Sequence, residues 1–336
     1  MNKILLDESE NKYKANLHSH SRVSDGKFTP AAAKEAYMKH GYSIIAFTDH
    51  DVLIPHDELN DENFLALHGY EMEFSAPWMK GESHKTCHIC LIQRDPENLK
   101  QVCWHREKYT VIGNSAKYKD AVQFYENEPD FEREHTAENI NAVIKAGREH
   151  GFFVTYNHPT WSMEDYTDYM NFHGMHAMEI CNYGCYVDGY EEYNPRVYDD
   201  MLRGGERIFC IGADDNHNWC DDDAPQFESF GAFTVIFAKE LTYKAVMDAI
   251  FAGNFYASQG PEIYSLTMDD EKIRIKCSPA RRIYLTTNGR HIQFRYAKDA
   301  PVTEAEFAIP KDNTYFRITV EDGEGKHANT NAYFLD

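Results

Sequence analysis

Two histidines separated by a single residue are the first feature of this chain that could do chemistry. His18 and His20 stand two apart in the segment NLHSHS. Side chains at positions i and i+2 of an extended segment point to the same side, so the two imidazoles could chelate one metal ion. Asp25 follows five residues later, in an Asp-Gly pair that predicts a turn. Imidazole and carboxylate ligands together suit zinc, manganese or iron and do not select among them.

The elements around these residues predict how a third group reaches the same place. Pro30 and Gly41 bracket a predicted helix, and the apolar residues 43–47 predict a short strand. His50 follows the carboxyl end of that strand. One βαβ unit would therefore deliver at least three potential ligands to one edge of a sheet.

Later strand-like stretches carry further histidines and carboxylates. Residues 64–69 run into Glu71, and Glu73 would point the same way on an extended chain. His88 lies within the strand-like residues 87–92, and His158 follows residues 152–156. Asp214, Asp215 and His217 follow residues 207–212.

The ordered motifs resemble those of the polymerase and histidinol phosphatase (PHP) superfamily of metal-dependent phosphoesterases. The series is His-x-His at 18–20, Ser-Asp-Gly at 24–26 and Thr-Asp-His at 48–50, followed by Gly-x-Glu at 69–71, His-Pro at 158–159 and Asp-x-His at 215–217. The resemblance covers about residues 1–256. It implies a distorted (β/α)7 PHP barrel with a two- or three-metal site at the carboxyl ends of its strands.

The resemblance also implies a ligand set for two to three divalent ions of zinc, manganese or iron. Glu71 would bridge two ions, and Asp215 fits the Asp-x-His spacing better than Asp214, which would stand behind it. By analogy the first ion would take His18, His20, Glu71 and Asp215, the second Glu71, His88 and His158, and the third Asp25, His50 and His217.

The predicted reaction follows from such a trinuclear metal site. Ions about 3.5–4 Å apart share a water and lower its pKa, which generates a metal-bridging hydroxide at neutral pH. We therefore predict a phosphoesterase that hydrolyses a small phosphate monoester or cyclic phosphodiester, with Glu71, Asp215 and His217 as catalytic residues. Arg22 would contact phosphate through its planar guanidinium. Alternatively, Arg22 is a solvated charge of the loop without a role in binding, and the sequence favours neither interpretation.

Two other functions fit the same residues. A bridging hydroxide also attacks carbonyl groups, so an amide or ester hydrolase is the first alternative. The second is a barrel kept as a binding or scaffold module. Nine intact ligand positions argue against the second, because buried carboxylates are costly without a cation.

The charge composition of the chain narrows the class of molecule that it could bind. With 34 Lys and Arg against 55 Asp and Glu, the chain has a net charge of −21. Phosphate backbones would be repelled, so we expect a small-molecule substrate and no nucleic-acid polymer. The sequence contains no apolar stretch long enough to span a bilayer, no signal-peptide pattern and no disulfide-scaffold spacing, which predicts a cytoplasmic protein without membrane partners. The oligomeric state stays open.

The chain is predicted to divide near residue 257. Residues 1–257 would form the metal-dependent hydrolase barrel, and the short strand-like stretches of residues 258–336 predict a small antiparallel β-sandwich. Two loops depart from a minimal barrel, at residues 95–135 and 161–172. They would form either a lid and specificity wall, with Trp161, Tyr166 and Tyr169 to stack on a substrate ring, or a satellite core.

Overall fold

The computed structural model describes residues 3–81, 84–290 and 292–335. The helices are α1 (Pro30–Lys39), α2 (Ala137–Glu149), α3 (Tyr166–Tyr169), α4 (Tyr183–Val187), α5 (Pro195–Arg203) and α6 (Tyr243–Ala252), with 3-10 turns at Asp57–Leu59 and Ser115–Ala121. The strands are β1 (Lys3–Leu6), β2 (Asn11–Asn16), β3 (Tyr42–Phe47), β4 (Leu65–Ser75), β5 (Thr86–Gln93), β6 (Lys100–Gln101), β7 (Gln123–Phe124), β8 (Phe152–Tyr156), β9 (Ala177–Asn182), β10 (Phe209–Ala213), β11 (Phe233–Ala238), β12 (Phe255–Ser258), β13 (Ile263–Met268), β14 (Lys272–Ala280), β15 (Arg282–Thr287), β16 (Gln293–Tyr296), β17 (Val302–Ala308), β18 (Tyr315–Glu321), β19 (His327–Thr330) and β20 (Tyr333–Phe334).

Local sequence explains where the main helices begin. Thr29 caps α1 by accepting a hydrogen bond from the Ala32 amide, and Pro30 occupies the first helical position, where its missing N–H costs nothing. Thr136 caps α2 in the same way through the Asn139 amide. Helix α1 therefore starts where the sequence predicts. Helix α1 packs on β3 and helix α2 on β8, and both strands are buried along most of their length.

One large mixed sheet contains most of the strands, in the order β10-β9-β8-β5-β4-β3-β2-β11-β12-β19-β18-β15-β16, with β20 beside β18. The carboxyl ends of β2 and β10 also meet, although these two strands form no ladder. The Asp215 amide donates to the His18 carbonyl at 3.0 Å, and the His20 amide donates to the Asn216 carbonyl at 3.2 Å. This contact brings the first and last ligand-bearing strands together.

The prediction of a distorted (β/α)7 barrel and a separate sandwich is confirmed only as a mixed α/β fold with a large mixed sheet. Strands β4 and β5 form an antiparallel hairpin without an intervening helix, and β5 also runs antiparallel to β8. The βα alternation is therefore interrupted in the middle of the sheet. The physical reason is that β4 continues past Glu71 to Ser75, and its second half, residues 69–75, forms the antiparallel ladder with β5.

The C-terminal strands are joined to the rest of the chain on both sides. Strand β12 pairs with β19 inside the large sheet, and the N-terminal strand β1 pairs with β13 in a four-stranded sheet of order β1-β13-β14-β17. A buried apolar cluster that includes Phe237, Ile275 and Ile318 lies among these strands. The division at residue 257 stays a prediction. In the described part of the chain, none of the helices is both long enough and apolar enough to cross a membrane.

Candidate metal centre

The structure brings all nine predicted ligands to one end of the sheet. They lie on β4 and β5 or in the segments that follow β2, β3, β8 and β10. Together with the thiol of Cys90, which was not predicted, their ligand atoms fall into groups within which every atom lies within 4.8 Å of the others: His20, Asp25, His50 and His217; His18, His158 and Asp215; Glu71, His88 and His158; and His18, Glu71 and Cys90. Shared members link the last three groups, and His20 links the first to Asp215.

The closest approach is around the carboxylate of Asp215. The Nε2 atoms of His18 and His20 are 3.1 Å apart, and Asp215 Oδ1 lies 3.1 Å from the first and 3.0 Å from the second. Glu71 Oε1 is also 3.1 Å from His18 Nε2. Ligands at about 2.0–2.1 Å from a tetrahedral zinc ion would be separated by about 3.3 Å. His18, His20 and Asp215 are therefore spaced as ligands of one ion, and Glu71 lies beside them.

Several of these atoms are buried without a hydrogen-bond partner. Asp215 Oδ1, His50 Nδ1 and His88 Nε2 are inaccessible to solvent and make no hydrogen bond in the described part of the chain. Buried polar atoms in folded proteins are nearly always satisfied, so each exception needs an explanation. Asp215 Oδ1 is surrounded by imidazole nitrogens at 3.0–3.1 Å, so a divalent cation bound among them would satisfy this oxygen. The residues present therefore fit the implied metal ions.

The electrostatics of the metal-free cluster indicate the same need for positive charge. Burial alone would lower the pKa of His158, but its hydrogen bond to Glu71 and the charge of Asp215 raise that pKa to about 9. The neighbouring imidazoles conversely overcome the effect of burial on Glu71 and Asp215 and hold their pKa values well below the ordinary range. The carboxylates stay charged, and protons on His18, His20 and His158, whose pKa values are all raised, compensate them where cations are absent.

Four of the histidines are oriented by hydrogen bonds, three to side chains that are not predicted ligands and one to a backbone carbonyl. Each bonds through Nδ1, which leaves Nε2 directed at the other ligands. The partners are Glu179 Oε1 for His18 at 2.7 Å, Ser24 Oγ for His20 at 3.4 Å, Ser162 Oγ for His158 at 3.2 Å and the Asp215 carbonyl for His217 at 3.1 Å. Such partners fix the tautomer and the ring orientation of metal-binding histidines.

Glu179 is the residue that the sequence analysis missed. It lies fully buried in the middle of β9, where Oε1 accepts from His18 and Oε2 accepts from the backbone amide of His158 at 2.9 Å. Asn182 Nδ2 donates to the same carboxylate. The available signal was a single acidic residue inside the apolar stretch AMEICN, which a strand buried on both faces would not tolerate without a polar partner.

The two remaining acidic residues of the motifs hold the backbone in place. Asp49 accepts hydrogen bonds from the amides and hydroxyls of Ser21 and Ser24 and so shapes the loop before Asp25. The Asp214 carboxylate accepts from the Tyr37 hydroxyl and from the three amides of residues 230–232. Burial raises the pKa of Asp214 to about 6. Asp214 is thus turned away from the cluster, and Asp215 faces it.

Strained backbone occurs at two of the ligands. Asp215 has φ of 50° and His158 has φ of 27°, which are left-handed conformations that non-glycine residues seldom adopt. Each costs on the order of 1–3 kcal/mol and persists only where the surrounding structure holds it. Here the backbone bond from Asp215 to His18 and the amide bond from His158 to Glu179 hold the two residues in place.

Above the cluster lies an open cavity of about 350 Å³. Trp161 forms part of its wall and contacts the rings of His88 and His158 edge-on, at centroid distances of 5.2 and 4.9 Å. The predicted stacking residues Tyr166 and Tyr169 do not line it, since Tyr166 is exposed and Tyr169 is buried with its hydroxyl on Asp200. Ile112, from the long loop after β5, reaches the cavity instead.

The predicted phosphate contact, Arg22, lies outside this cavity. Arg22 is exposed, and its Nε donates to the Lys27 carbonyl at 2.7 Å. It is absent from the lining, and so are the other described arginines and lysines. Glu73, the second candidate beside Glu71, does line the cavity but belongs to none of the ligand groups. The role of Arg22 in catalysis stays a prediction.

Comparison with known proteins gives similarity of structure only. Neither a family model nor a curated protein sequence matches the chain. A two-domain protein of Bacteroides vulgatus, described as containing a predicted PHP-like metal-dependent phosphoesterase, is 16% identical with a TM-score of 0.45, over 98% of this chain and 96% of that chain. A protein of Bifidobacterium adolescentis, described provisionally as a metal-dependent phosphoesterase, is 18% identical with a TM-score of 0.39, over 62% of this chain and 90% of that one.

A third similar structure is an amidohydrolase of Chromobacterium violaceum with bound sulfate and no metal. It is 17% identical with a TM-score of 0.37, over 60% of this chain and 87% of that chain. The structural neighbours thus include PHP-like metal-dependent phosphoesterases, the family that the sequence motifs resemble. The similarities are too distant to assign an activity, which rests on this chain's own residues.

Proposed function

We propose that this protein is a metal-dependent hydrolase that cleaves a small phosphate monoester or cyclic phosphodiester. Two to three divalent ions of zinc, manganese or iron would be held by the nine ligands of the cluster. One observation carries the proposal: the Nε2 atoms of His18 and His20 converge with Asp215 Oδ1 at 3.0–3.1 Å, and that buried oxygen has no hydrogen bond. A small molecule is the proposed partner, because the net charge of −21 opposes binding of a nucleic-acid polymer.

Divalent ions bound at this cluster would supply Lewis acidity and a lowered pKa for water. Hydrolysis forms one bond between the oxygen of water and phosphorus and breaks the bond from phosphorus to the leaving alcohol, whose oxygen takes up a proton. Asp25 and His217 are the most accessible ligands, with 23% and 22% of their side chains exposed, whereas Glu71 is 1% exposed. Substrate would therefore enter beside Asp25 and His217, and Glu71 would hold the buried ions together.

An amide or ester hydrolase is the second candidate, and the cavity lining favours it. A phosphate group usually meets an arginine or lysine that neutralises its outer oxygens. No arginine or lysine among the described residues lines this cavity. A carbonyl substrate carries no dianion and does not need such a residue.

Metal-loaded protein assayed on matched aryl phosphates and aryl acetates would separate the two candidates. A phosphoesterase should cleave the phosphates faster, and inorganic phosphate should compete with substrate. Faster cleavage of the acetates, with no inhibition by phosphate, would replace the phosphoesterase by the carbonyl hydrolase.

The variant Arg22→Ala tests the predicted phosphate contact. If the guanidinium leaves the Lys27 carbonyl for the substrate, kcat/KM on a phosphoester should fall about tenfold to a hundredfold, and Arg22→Lys should not restore it. An unchanged kcat/KM would show that Arg22 does not bind the phosphate group, whose charge would then be neutralised by the metal ions alone.

A further inference from the structure

The loop of residues 95–135, which follows β5, contacts two of the ligand-bearing segments. One contact reaches the residue directly after the ligand His50, and the other reaches the residue directly before the ligand Asp25. These two ligands belong to one group, with His20 and His217. We call it the outer group, because 23% of the Asp25 side chain and 22% of the His217 side chain are exposed. The remaining groups are the inner groups.

The first contact is a buried ion pair at Asp51. Arg133 Nη1 lies 2.5 Å from Asp51 Oδ1, and each of the two side chains is only 4% exposed. The guanidinium also lies against the Tyr109 ring, 4.2 Å from its centroid, while Arg133 Nε makes no hydrogen bond in the described part of the chain. A buried charge that loses its partner is strongly destabilising, so Arg133 and Asp51 hold each other in place.

Gln101 fixes the backbone at the same position. Its Nε2 donates to the Asp51 carbonyl at 2.9 Å, and its Oε1 accepts from the Leu53 amide at 2.7 Å. Asp51 has φ of 65°, a left-handed conformation that non-glycine residues seldom adopt, and its amide donates to the Glu71 carbonyl at 2.9 Å. Because His50 directly precedes this residue, the loop fixes the backbone from which the His50 ring projects.

The second contact packs backbone against the segment before Asp25. The Asn114 amide donates to the Ser24 carbonyl at 2.6 Å. Gly113, with φ of 58°, lies so close that a Cβ atom there would be 2.2 Å from the Ser24 carbonyl oxygen and 2.7 Å from Asp25 Cα. Only glycine permits this approach without displacing one of the two segments.

We propose that the 95–135 loop positions the outer group and thereby decides whether the site holds a third divalent ion. Its contacts fix the segments that carry His50 and Asp25, whereas Glu179 on β9 orients the inner ligand His18. Loss of a loop contact should therefore weaken the binding of one ion and leave the other two. Arg133 is a positioning residue in this sense, since it belongs to none of the ligand groups. The inference rests on the proposed metal centre, but bound ions can be counted without turnover.

Zinc counting tests the ion pair. Protein is dialysed against a series of buffered free zinc concentrations and then analysed for zinc. The unaltered protein should hold three equivalents, and Arg133→Met should bind one of them about tenfold to a hundredfold more weakly. Arg133→Lys should keep most of that affinity, because a single nitrogen contacts Asp51 and a lysine ammonium can supply it. Two equivalents in the unaltered protein, or an Arg133→Met protein that keeps all three unchanged or loses all three, would overturn the proposal.

Gly113→Ala tests the second contact and leaves the ion pair intact. It should weaken the same equivalent of zinc. Gly325→Ala is the matched control, because Gly325 has φ of 83° and a Cβ atom there meets no described atom within 4 Å. That control should keep three equivalents, and equal loss in the two alanine variants would overturn the proposal. If Arg133→Met does not fold, this pair of variants decides the outcome.

Two further variants exclude an indirect effect. Arg317→Met breaks a buried pair with Asp199, and neither residue belongs to a ligand group, so three equivalents should remain. His217→Ala removes an outer ligand, and adding Arg133→Met to it should remove no further ion, because both changes act on the same one. Equal zinc loss in Arg317→Met and Arg133→Met, or loss of a second equivalent in the double variant, would overturn the proposal.

Hydrolysis assays on the same samples separate this inference from the proposed function. If the third equivalent responds to Arg133→Met and Gly113→Ala but the loaded protein cleaves neither aryl phosphates nor aryl acetates, the hydrolase function fails and the role of the loop stands. If the protein is an active hydrolase whose zinc content is unchanged in both variants, the hydrolase function stands and the role of the loop fails.

Discussion

His18 and Glu179 form a buried hydrogen bond in which Nδ1 of the imidazole donates to Oε1 of the carboxylate at 2.7 Å. The bond leaves Nε2 of His18 directed at Glu71 and Asp215. Glu179→Gln should therefore lower the affinity of the protein for its metal ions about tenfold to a hundredfold without removing a ligand. Competition against a chromophoric chelator measures the affinity directly.

A matched pair elsewhere on the surface provides the control for Glu179→Gln. His173 Nδ1 and Glu206 Oε1 are 2.8 Å apart, but His173 is exposed and lies outside the ligand groups. Glu206→Gln should leave metal affinity unchanged. If the two variants lose affinity equally, Glu179 does not position His18.

Removal of a metal ligand should reduce metal binding more than removal of the residue that orients the ligand. His18→Ala and Glu71→Ala should each reduce bound metal below the two to three equivalents expected of the unaltered protein, and each should abolish hydrolysis while circular dichroism shows a retained fold. Elemental analysis of protein purified without an affinity tag or chelator gives the count. Full activity in a metal-free His18→Ala protein would contradict the metal centre.

Metal affinity should increase with pH. Although burial opposes it, the hydrogen bond to Glu71 and the charge of Asp215 raise the pKa of His158 from 6.5 to about 9 in the metal-free protein. Metal binding must displace that proton, and the pKa values of His18 and His20 are also raised well above the ordinary value, so the apparent affinity should rise at least about tenfold per pH unit below about pH 9. Chelator competition at a series of pH values measures the slope, and an affinity independent of pH would contradict it.

The same raised pKa predicts how the stability of the metal-free protein depends on pH. Protonated His158 stabilises the folded state fully below pH 6.5, its ordinary pKa. That contribution should disappear as the pH rises through about 9, because the folded state then loses the proton it binds more tightly than the unfolded state. Thermal unfolding of metal-free protein should therefore occur at lower temperature at pH 9 than at pH 6.5, and unchanged unfolding would count against the prediction.

A buried ion pair joins the C-terminal strands to the rest of the chain. Arg317 on β18 donates from Nε and Nη2 to the two carboxylate oxygens of Asp199 on α5, at 2.7 and 2.9 Å, and Arg317 is 3% exposed. Arg317→Ala would leave Asp199 with only its longer contact to Arg203, at 3.7 Å, and should lower the free energy of unfolding by up to about 3–5 kcal/mol. Urea unfolding of the metal-loaded protein measures the change.

A surface pair and a double variant serve as controls. Arg196 also contacts an aspartate, Asp200, but 78% of its side chain is exposed, so Arg196→Ala should destabilise the protein much less than Arg317→Ala. Replacing both buried partners, by Arg317→Met with Asp199→Leu, should recover much of the loss because no charge is then left unpaired. Equal destabilisation by Arg317→Ala and Arg196→Ala would show that the buried pair contributes no more than a surface contact.

The sequence by itself determined the ligand candidates and most of the elements that carry them. The apolar stretch at residues 152–156 coincides with β8, and α1 runs from Pro30 to Lys39, within the predicted limits of Pro30 and Gly41. Short-range physics settles such features, since caps, turns and apolar stretches depend on neighbours in sequence. The ordered motifs therefore located His18, Glu71 and Asp215 without any knowledge of the tertiary structure.

Only the tertiary structure decided which groups face one another. Asp214 and Asp215 are adjacent and chemically identical. The carboxylate of Asp214 accepts hydrogen bonds from the amides of residues 230–232, whereas the carboxylate of Asp215 lies in the ligand cluster. Glu179 and His18 meet although they are 161 residues apart. Arg22 stands in a ligand-bearing loop, yet its side chain bonds to the Lys27 carbonyl outside the cavity. Side-chain direction depends on long-range packing and hydrogen bonding, which spacing along the chain does not contain.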